Sequence, residues 1–542
     1  MLTTLTAPAF AKTWDIADGD ITVKAGDTDT IITNQNKDIA SSNTVTIETN
    51  DKNDKVEVTL KDVNINVGSD SGSALTSNGD VTLTLKGDNS LTGGNGGSGI
   101  SSSGSLTITG GEKDSLTAQG GSGRSGIFSS GGVTISGGTV NATGGSSGSD
   151  SGDGIHSGSL TMKGGTVNAK GGSGADGGSG IRTFSSGGVT ISGGSTVNAT
   201  GGDASDKDAS AGGSGISGKG SLTVSGGTVT ANGGNGSKSE SSDRSNGGRG
   251  IDSGSLTVSG GTVTATGGDG CSGSYSDGGI GISSSSGGVT IYGGTVTATG
   301  GKSGSGDYSN GGNGISSSGS LSISGGTVTA TAGSSSGSGI HSRSDIDLSG
   351  SLELTAKAGS PNGKALSQNG IELDPNTFKE KLDPGANIIT KDADGKVIDQ
   401  VSIPRPVEPE GPVIPEESSS SSDSGSSTPS ADGGSATPSA PASPLPGLTV
   451  TDKDGQRISY TSIRGNNVLS IRAGRFTASL RVSLAALRQL RAEGIDTITF
   501  RTVLCSTTLS VDELLAMGGE DAEVVLTHHI RSSTLTVGGK AV

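Results

Sequence analysis

The chain has 542 residues, of which 101 are glycine, 28% are hydrophobic and 2% aromatic. So little bulky apolar material excludes an ordinary globular core for most of its length. A formal charge of −16 argues against nucleic acid and anionic membranes as primary partners.

The opening MLTTLTAPAFA reads as the tail of a secretory signal. Ala9-Phe10-Ala11 fits the small-x-small cleavage pattern, which puts the mature start near Lys12 and predicts a secreted, extracellular protein. No later apolar run reaches the roughly eighteen residues a membrane-spanning helix needs. Cys271 and Cys505 lie in different segments and imply no disulfide framework.

From Trp14 to Gly97, WDIADGDITV, TVTIET, VEVTLKDVNINV and DVTLTLKG alternate apolar and polar residues as strands do. Their extra charge suits the shielded open end of a stack, with Ala40 and Leu75 expected as its first anchor positions.

Beyond Gly97 one phrase recurs, best seen in Ile251 to Gly268, IDSGSLTVSGGTVTATGG. Each copy opens on a Gly-Ile step, at Ile100, Ile127, Ile155, Ile181, Ile216, Ile251, Ile282, Ile315 and Ile340. Spacings of roughly 25–35 residues are those of stacked repeats. Within a copy the inward side chains are Ile251, Leu256, Val258, Val263 and Ala265, with Thr262, Thr264 and Thr266 outside. Each buried side chain contributes about 1.5–3 kcal/mol, alanine less. Ordering a residue costs about 1–2 kcal/mol, so a single copy cannot fold alone. Copies that stack in register can, and three short strands per turn make an all-β, right-handed parallel β-helix. About twelve coils at 4.7–4.9 Å give a rod on the order of 55–60 Å.

Inserts of unequal length, such as GSSGSDSGD, GDASDKDASAGGS and GNGSKSESSDRSNGGR, all leave the stack at one corner. Rich in Gly, Ser, Asp and Asn, they have little to bury and read as mobile loops on one edge. Variable loops on one face of a repeat protein suit binding, and neutral drift in length suits them equally. After Ile340, SDIDLSGSLELTAKAG and GKALSQNGIELDP read as the last coils and VIDQVSIP as the closing strand of a repeat domain over 12–403.

Residues 404–446 are a Pro/Ser-rich low-complexity linker. Limited proteolysis should cut there first and release the last hundred or so residues as a folded piece; resistance to cleavage would show that the two parts dock. Residues 447–542 read as a small α+β module: a hairpin at Asp454-Gly455, a helix in SLAALRQLRAEG, strands TITFRTVL and AEVVLTHH, and a short helix entered at Ser510. Its phrases resemble modules closing other secreted bacterial repeat proteins, which implies no function.

The repeat region, roughly Asp80 to Asp374, resembles the bacterial carbohydrate-binding-domain proteins with pectate-lyase-like parallel β-helices. It shares their ISGGT-strand phrase followed by Asp/Asn-Gly-Ile/Leu. The resemblance implies a secreted binder of acidic plant polysaccharide, with calcium bound by acidic residues at coil corners. Asp153-Gly154-Ile155-His156 keeps the pattern, and Asn313-Gly314-Ile315 keeps it with an amide. Ser98, Ser125, Ser179, Ser214, Ser338 and Arg249 hold the acidic place elsewhere, a departure from a regular calcium ladder. The expected metal residues are therefore Asp150, Asp153 and Asn313. The expected sugar-contacting residues on the insert edge are Asp176, Asp203, Asp206, Asp208, Asp269, Asp277 and Asp307. A chain at −16 repels a polyanion, and calcium, taking six to eight oxygens, can bridge the two sets of carboxylates.

Catalysis is not expected. A lyase needs a base beside metal-bound carboxylates and a hydrolase two carboxylates flanking a bond. No such set recurs, and His156 and His341 read as solvated or stacked polar residues in distant coils. Aromatic platforms are scarce too: only Phe128, Phe184, Tyr275, Tyr292 and Tyr308 lie in the stack. Outward threonines such as Thr295, Thr297 and Thr299 form a grid of the kind that meets ice, broken by Asn141, Asn168, Lys170, Asn198 and Asn232. The function expected is a non-catalytic, calcium-assisted polysaccharide binder. The alternative is a structural or adhesive surface rod that binds surface or matrix proteins.

Overall fold

A computed structural model describes residues 12–542 apart from 28, 50–53, 185, 206–209, 238–244, 272–274, 307, 362, 405–446, 453, 454, 459, 466, 467, 474, 476, 503–505, 518–521, 530–532, 539 and 542. The expected signal remnant, nearly all of the expected linker, and Asp206, Asp208 and Asp307 lie outside the described residues. Contacts divide the chain into two compact units, Met1–Glu410 and Gly411–Val542.

The first unit is a parallel β-solenoid of about 14 turns. Three ladders run its length. The anchor ladder stacks Ile100 on Ile127, Ile155, Ile181, Ile216, Ile251, Ile282, Ile315 and Ile340, one residue per turn and all in parallel register. In the second, Leu222 lies on Leu256 and Leu256 on Val289. The third stacks Val229, Val263, Val296 and Val328. The inward residues expected at Ile251, Leu256, Val258, Val263 and Ala265 are all buried. Identical neighbours fill identical space, so each turn presents its successor with the surface it needs.

The anchor ladder also extends further back than the Gly-Ile steps show. Leu75 pairs with Ile100 as expected, but the next rung is Val45, not Ala40, and Ile21 pairs below it. Ala40 sits in an exposed turn beside Ile39, which is 66% exposed. At the other end, strand Val397–Ser402 pairs antiparallel with Asn387–Lys391 and closes the third ladder. The Glu372 carboxylate accepts the Ala365 and Leu366 N–H groups at 3.0 and 3.1 Å.

The two kinds of corner use glycine differently. Between the second and third ladders, Gly227, Gly261, Gly294 and Gly326 hold φ near +80°, a turn that other residues resist. At the insert corner the glycines are packed rather than bent. Gly202 donates its N–H to Gly178, Gly213 to Gly202, Gly234 to Gly213, Gly248 to Gly234, Gly268 to Gly248 and Gly279 to Gly268, each at 2.8 Å. A Cβ on Gly268 would lie 1.9 Å from the Gly234 carbonyl oxygen. The inserts are thus rooted in a tight, buried glycine zipper, where the sequence suggested loops with little to bury.

The second unit holds a five-stranded antiparallel sheet and a four-stranded mixed one. Helices Leu484–Ala492 and Val511–Met517 accompany them. Ser483 caps the first helix by accepting the Ala486 N–H, and Leu484, Leu487 and Leu490 are buried. Asp454 of the expected hairpin lies outside the described residues.

Candidate functional site

Each insert rejoins the stack at the Gly-Ile step, which puts two positions at one edge in every coil: the residue before the glycine and the residue after the isoleucine. In-register stacking sets Phe128 on His156 and His156 on Arg182. Among the described residues, clefts of about 420, 380 and 330 Å³ open along this column. The first is lined by Arg124, Phe128, Asp153, His156 and Arg182 among others. Arg249, Asp277, Asn310 and Asn313 line the second, and Asn313, His341, Lys364 and Ser367 the third.

Asp153 organises the first cleft. It is only 4% exposed. Its Oδ1 accepts the Ser179 N–H at 2.7 Å and lies 3.3 Å from Arg182 Nε, while Oδ2 lies 3.2 Å from His156 Nδ1. Burial pushes the carboxyl above its usual range, against the pull of Arg182, the Ser179 N–H and His156. That direction holds because Arg182 is half exposed to screening water. Burial likewise pushes His156 down, with Asp153 opposing and Arg182 reinforcing. The imidazole lies 4.6 Å from the Phe184 ring and 5.7 Å from Phe128, and the two phenyl rings meet edge to face at 6.1 Å. Three rings from three successive coils therefore gather in a chain that is 2% aromatic. The sequence reading missed this cluster, although Phe128, His156 and Arg182 each follow a Gly-Ile step and so had to align.

The other expected residues have a common duty. Asp203 accepts the Asn235 N–H, Asn235 that of Asp269, and Asp269 that of Lys302, at 2.7, 3.0 and 2.8 Å. Asn246, Asp277 and Asn310 form a second such series. Asp176 accepts from Ala211 and Asn313 from Ser338. Each side chain satisfies a backbone donor one coil on, at the insert mouth where the ladders no longer reach. Asp150 is exposed, pairs with Asp176 of the next coil and does not line the first cleft.

Calcium wants six to eight oxygens, and Asp153 does not fit that role, since both of its oxygens face hydrogen-bond donors or a cation. Among the described residues no group of three or more His, Cys, Asp or Glu could hold a metal.

A beta helix repeat family matches residues 133–159, 222–237, 256–281 and 321–342, stretches that carry strands of the second and third ladders. No curated protein and no solved structure matches the chain. Match and fold together make this a parallel β-helix protein.

Proposed function

We propose that the solenoid binds an acidic polysaccharide along its column of clefts, outside the cell and without cleaving it. The reading is carried by a local reversal of charge. The chain has 53 acidic residues against 37 Lys and Arg. The clefts are lined by Arg124, Arg182, Arg249 and Lys364 against Asp153 and Asp277. A polyanion repelled by the molecule as a whole is attracted at this edge, where walls of low dielectric strengthen the contact. Phe128 and Phe184 add apolar faces for sugar rings. Repetition along the stack gives weak contacts a combined affinity. The neighbouring carboxylates of Asp150 and Asp176 are where calcium would bridge to the polymer.

Isothermal titration with polygalacturonate tests this. An Arg124→Ala/Arg182→Ala variant should bind about tenfold more weakly or worse, and equal binding by the variant would remove the clefts from the account. A chelator isolates the calcium contribution. Unsaturated uronide absorbance during the same incubation would make His156 a base and the protein a lyase. Failure to bind any glycan would favour the adhesive rod.

A further inference from the structure

A second aromatic site lies on the insert edge, away from the charged cleft. Tyr275 and Tyr308 stand on inserts of adjacent coils with ring centroids 5.2 Å apart and planes 13° apart. Neighbouring strands are about 4.7–4.9 Å apart, so the rings stack along the coil axis and each outer face looks toward a neighbouring coil. Tyr308 stands at the top of a step. Ser303 meets Ser334 and Ser335, at 3.3 and 3.0 Å between hydroxyls, while Ser336 donates to Asn310 Oδ1. Of the described residues, Gly304, Ser305, Gly306, Tyr308 and Ser309 therefore have no counterpart in the next insert, which passes directly from Ser335 to Ser336. Ser335 makes that short cut with φ +66°, a strained angle for a residue with a side chain. Tyr308 is left 67% exposed, and Ser334, Ser335 and Ser336 of the next insert, which meet Ser303 and Asn310 on either side of it in sequence, are exposed as well.

We infer that this ledge binds the face of a neutral pyranose ring. An exposed aromatic ring with a row of exposed hydroxyls matches a ligand with an apolar C–H face and a rim of hydroxyl groups. The serines offer hydrogen-bonding groups rather than ion pairs, which sets this ligand apart from the acidic one. Through Asn310 and Ser336 the ledge is continuous with the second cleft, so a long glycan can occupy both. The inference stands independently of the acidic-polysaccharide reading.

The full chain should be titrated with hexaoses of β-1,4-linked glucose, mannose and xylose, probes that carry no charge. At least one should bind, about tenfold more weakly to Tyr308→Ala, with affinity kept in Tyr308→Phe. The Arg124→Ala/Arg182→Ala variant should bind that probe like the parent chain, which separates this site from the charged cleft. The ledge is refuted if no hexaose binds, if Tyr308→Ala binds as tightly as the parent, or if the arginine variant loses the probe.

Discussion

Replacing Gly268 with alanine should destabilise the solenoid by about 3 kcal/mol or more. The new Cβ would lie 1.9 Å from the Gly234 carbonyl oxygen and 2.5 Å from its carbon. Both contacts are backbone, so no rotamer change relieves them. Gly234 cannot retreat either, because it is hydrogen-bonded to Gly213 on one side and Gly248 on the other. Strain at one coil therefore passes to its neighbours. Gly194 is the control: nothing lies within 4 Å of its Cβ position and its φ is not positive. There alanine should range from neutral to a gain of about 1 kcal/mol, through lower entropy of the unfolded chain. Denaturant unfolding of the two variants decides. If Gly268→Ala stays within about 0.5 kcal/mol of the parent, the zipper is not tight.

Asp153→Ala should cost about 1–3 kcal/mol, because the Ser179 N–H loses a buried acceptor. Asp153→Asn keeps an oxygen there and should recover most of that loss. The two forms also differ with pH. Burial holds the Asp153 carboxyl above its ordinary 3.8. Between 3.8 and that raised value the folded chain holds more protons than the unfolded one, so stability falls as pH rises. His156 works in the opposite sense: held below its ordinary 6.5, it makes stability rise with pH until 6.5 is passed. In Asp153→Asn the part of the first slope that Asp153 contributes should disappear, while the rise with pH from His156 remains; Glu372, also raised by burial, keeps its own share in both forms. Unfolding free energies from about pH 2.8 to about 7.5 (roughly one unit beyond either ordinary value) measure both slopes. Identical profiles for parent and Asn variant would mean that Asp153 is not buried as described. Glycan affinity should follow the histidines, rising only once pH falls below their lowered values, beneath the ordinary 6.5, where His156 and His341 gain charge in their clefts.

The ladders were legible because period-two alternation and a fixed anchor survive translation into sequence. Ile251, Leu256, Val258, Val263 and Ala265 were all placed correctly. Val45, the true rung below Leu75, was missed because no Gly-Ile step marks it. The glycine zipper was invisible for a different reason: glycine has no hydropathy to alternate, so a packed Gly234 and a solvated one look alike. The acidic residues were found as a class, but sequence cannot show where carboxylate oxygens are used. Asp203, Asp269 and Asp277 turn out to hold backbone donors of the next coil. Nor does a total of −16 show that Arg124, Arg182, Arg249 and Lys364 line the clefts against Asp153 and Asp277.

In-register stacking also makes the molecule a ruler with fixed graduations. Five rungs, from Ile155 through Ile181, Ile216, Ile251 and Ile282 to Ile315, separate the coil of His156 from the one that comes after Tyr308. At about 4.8 Å per rung this is about 24 Å. Loss of the coil that begins at Ile251 would seat Ile282 directly on Ile216, isoleucine for isoleucine, with no hydrophobic mismatch. The distance between the charged cleft and the tyrosine ledge can therefore change only by whole rungs. Tandem duplication or deletion of a repeat would retune the glycan length the protein measures while leaving every coil chemically intact.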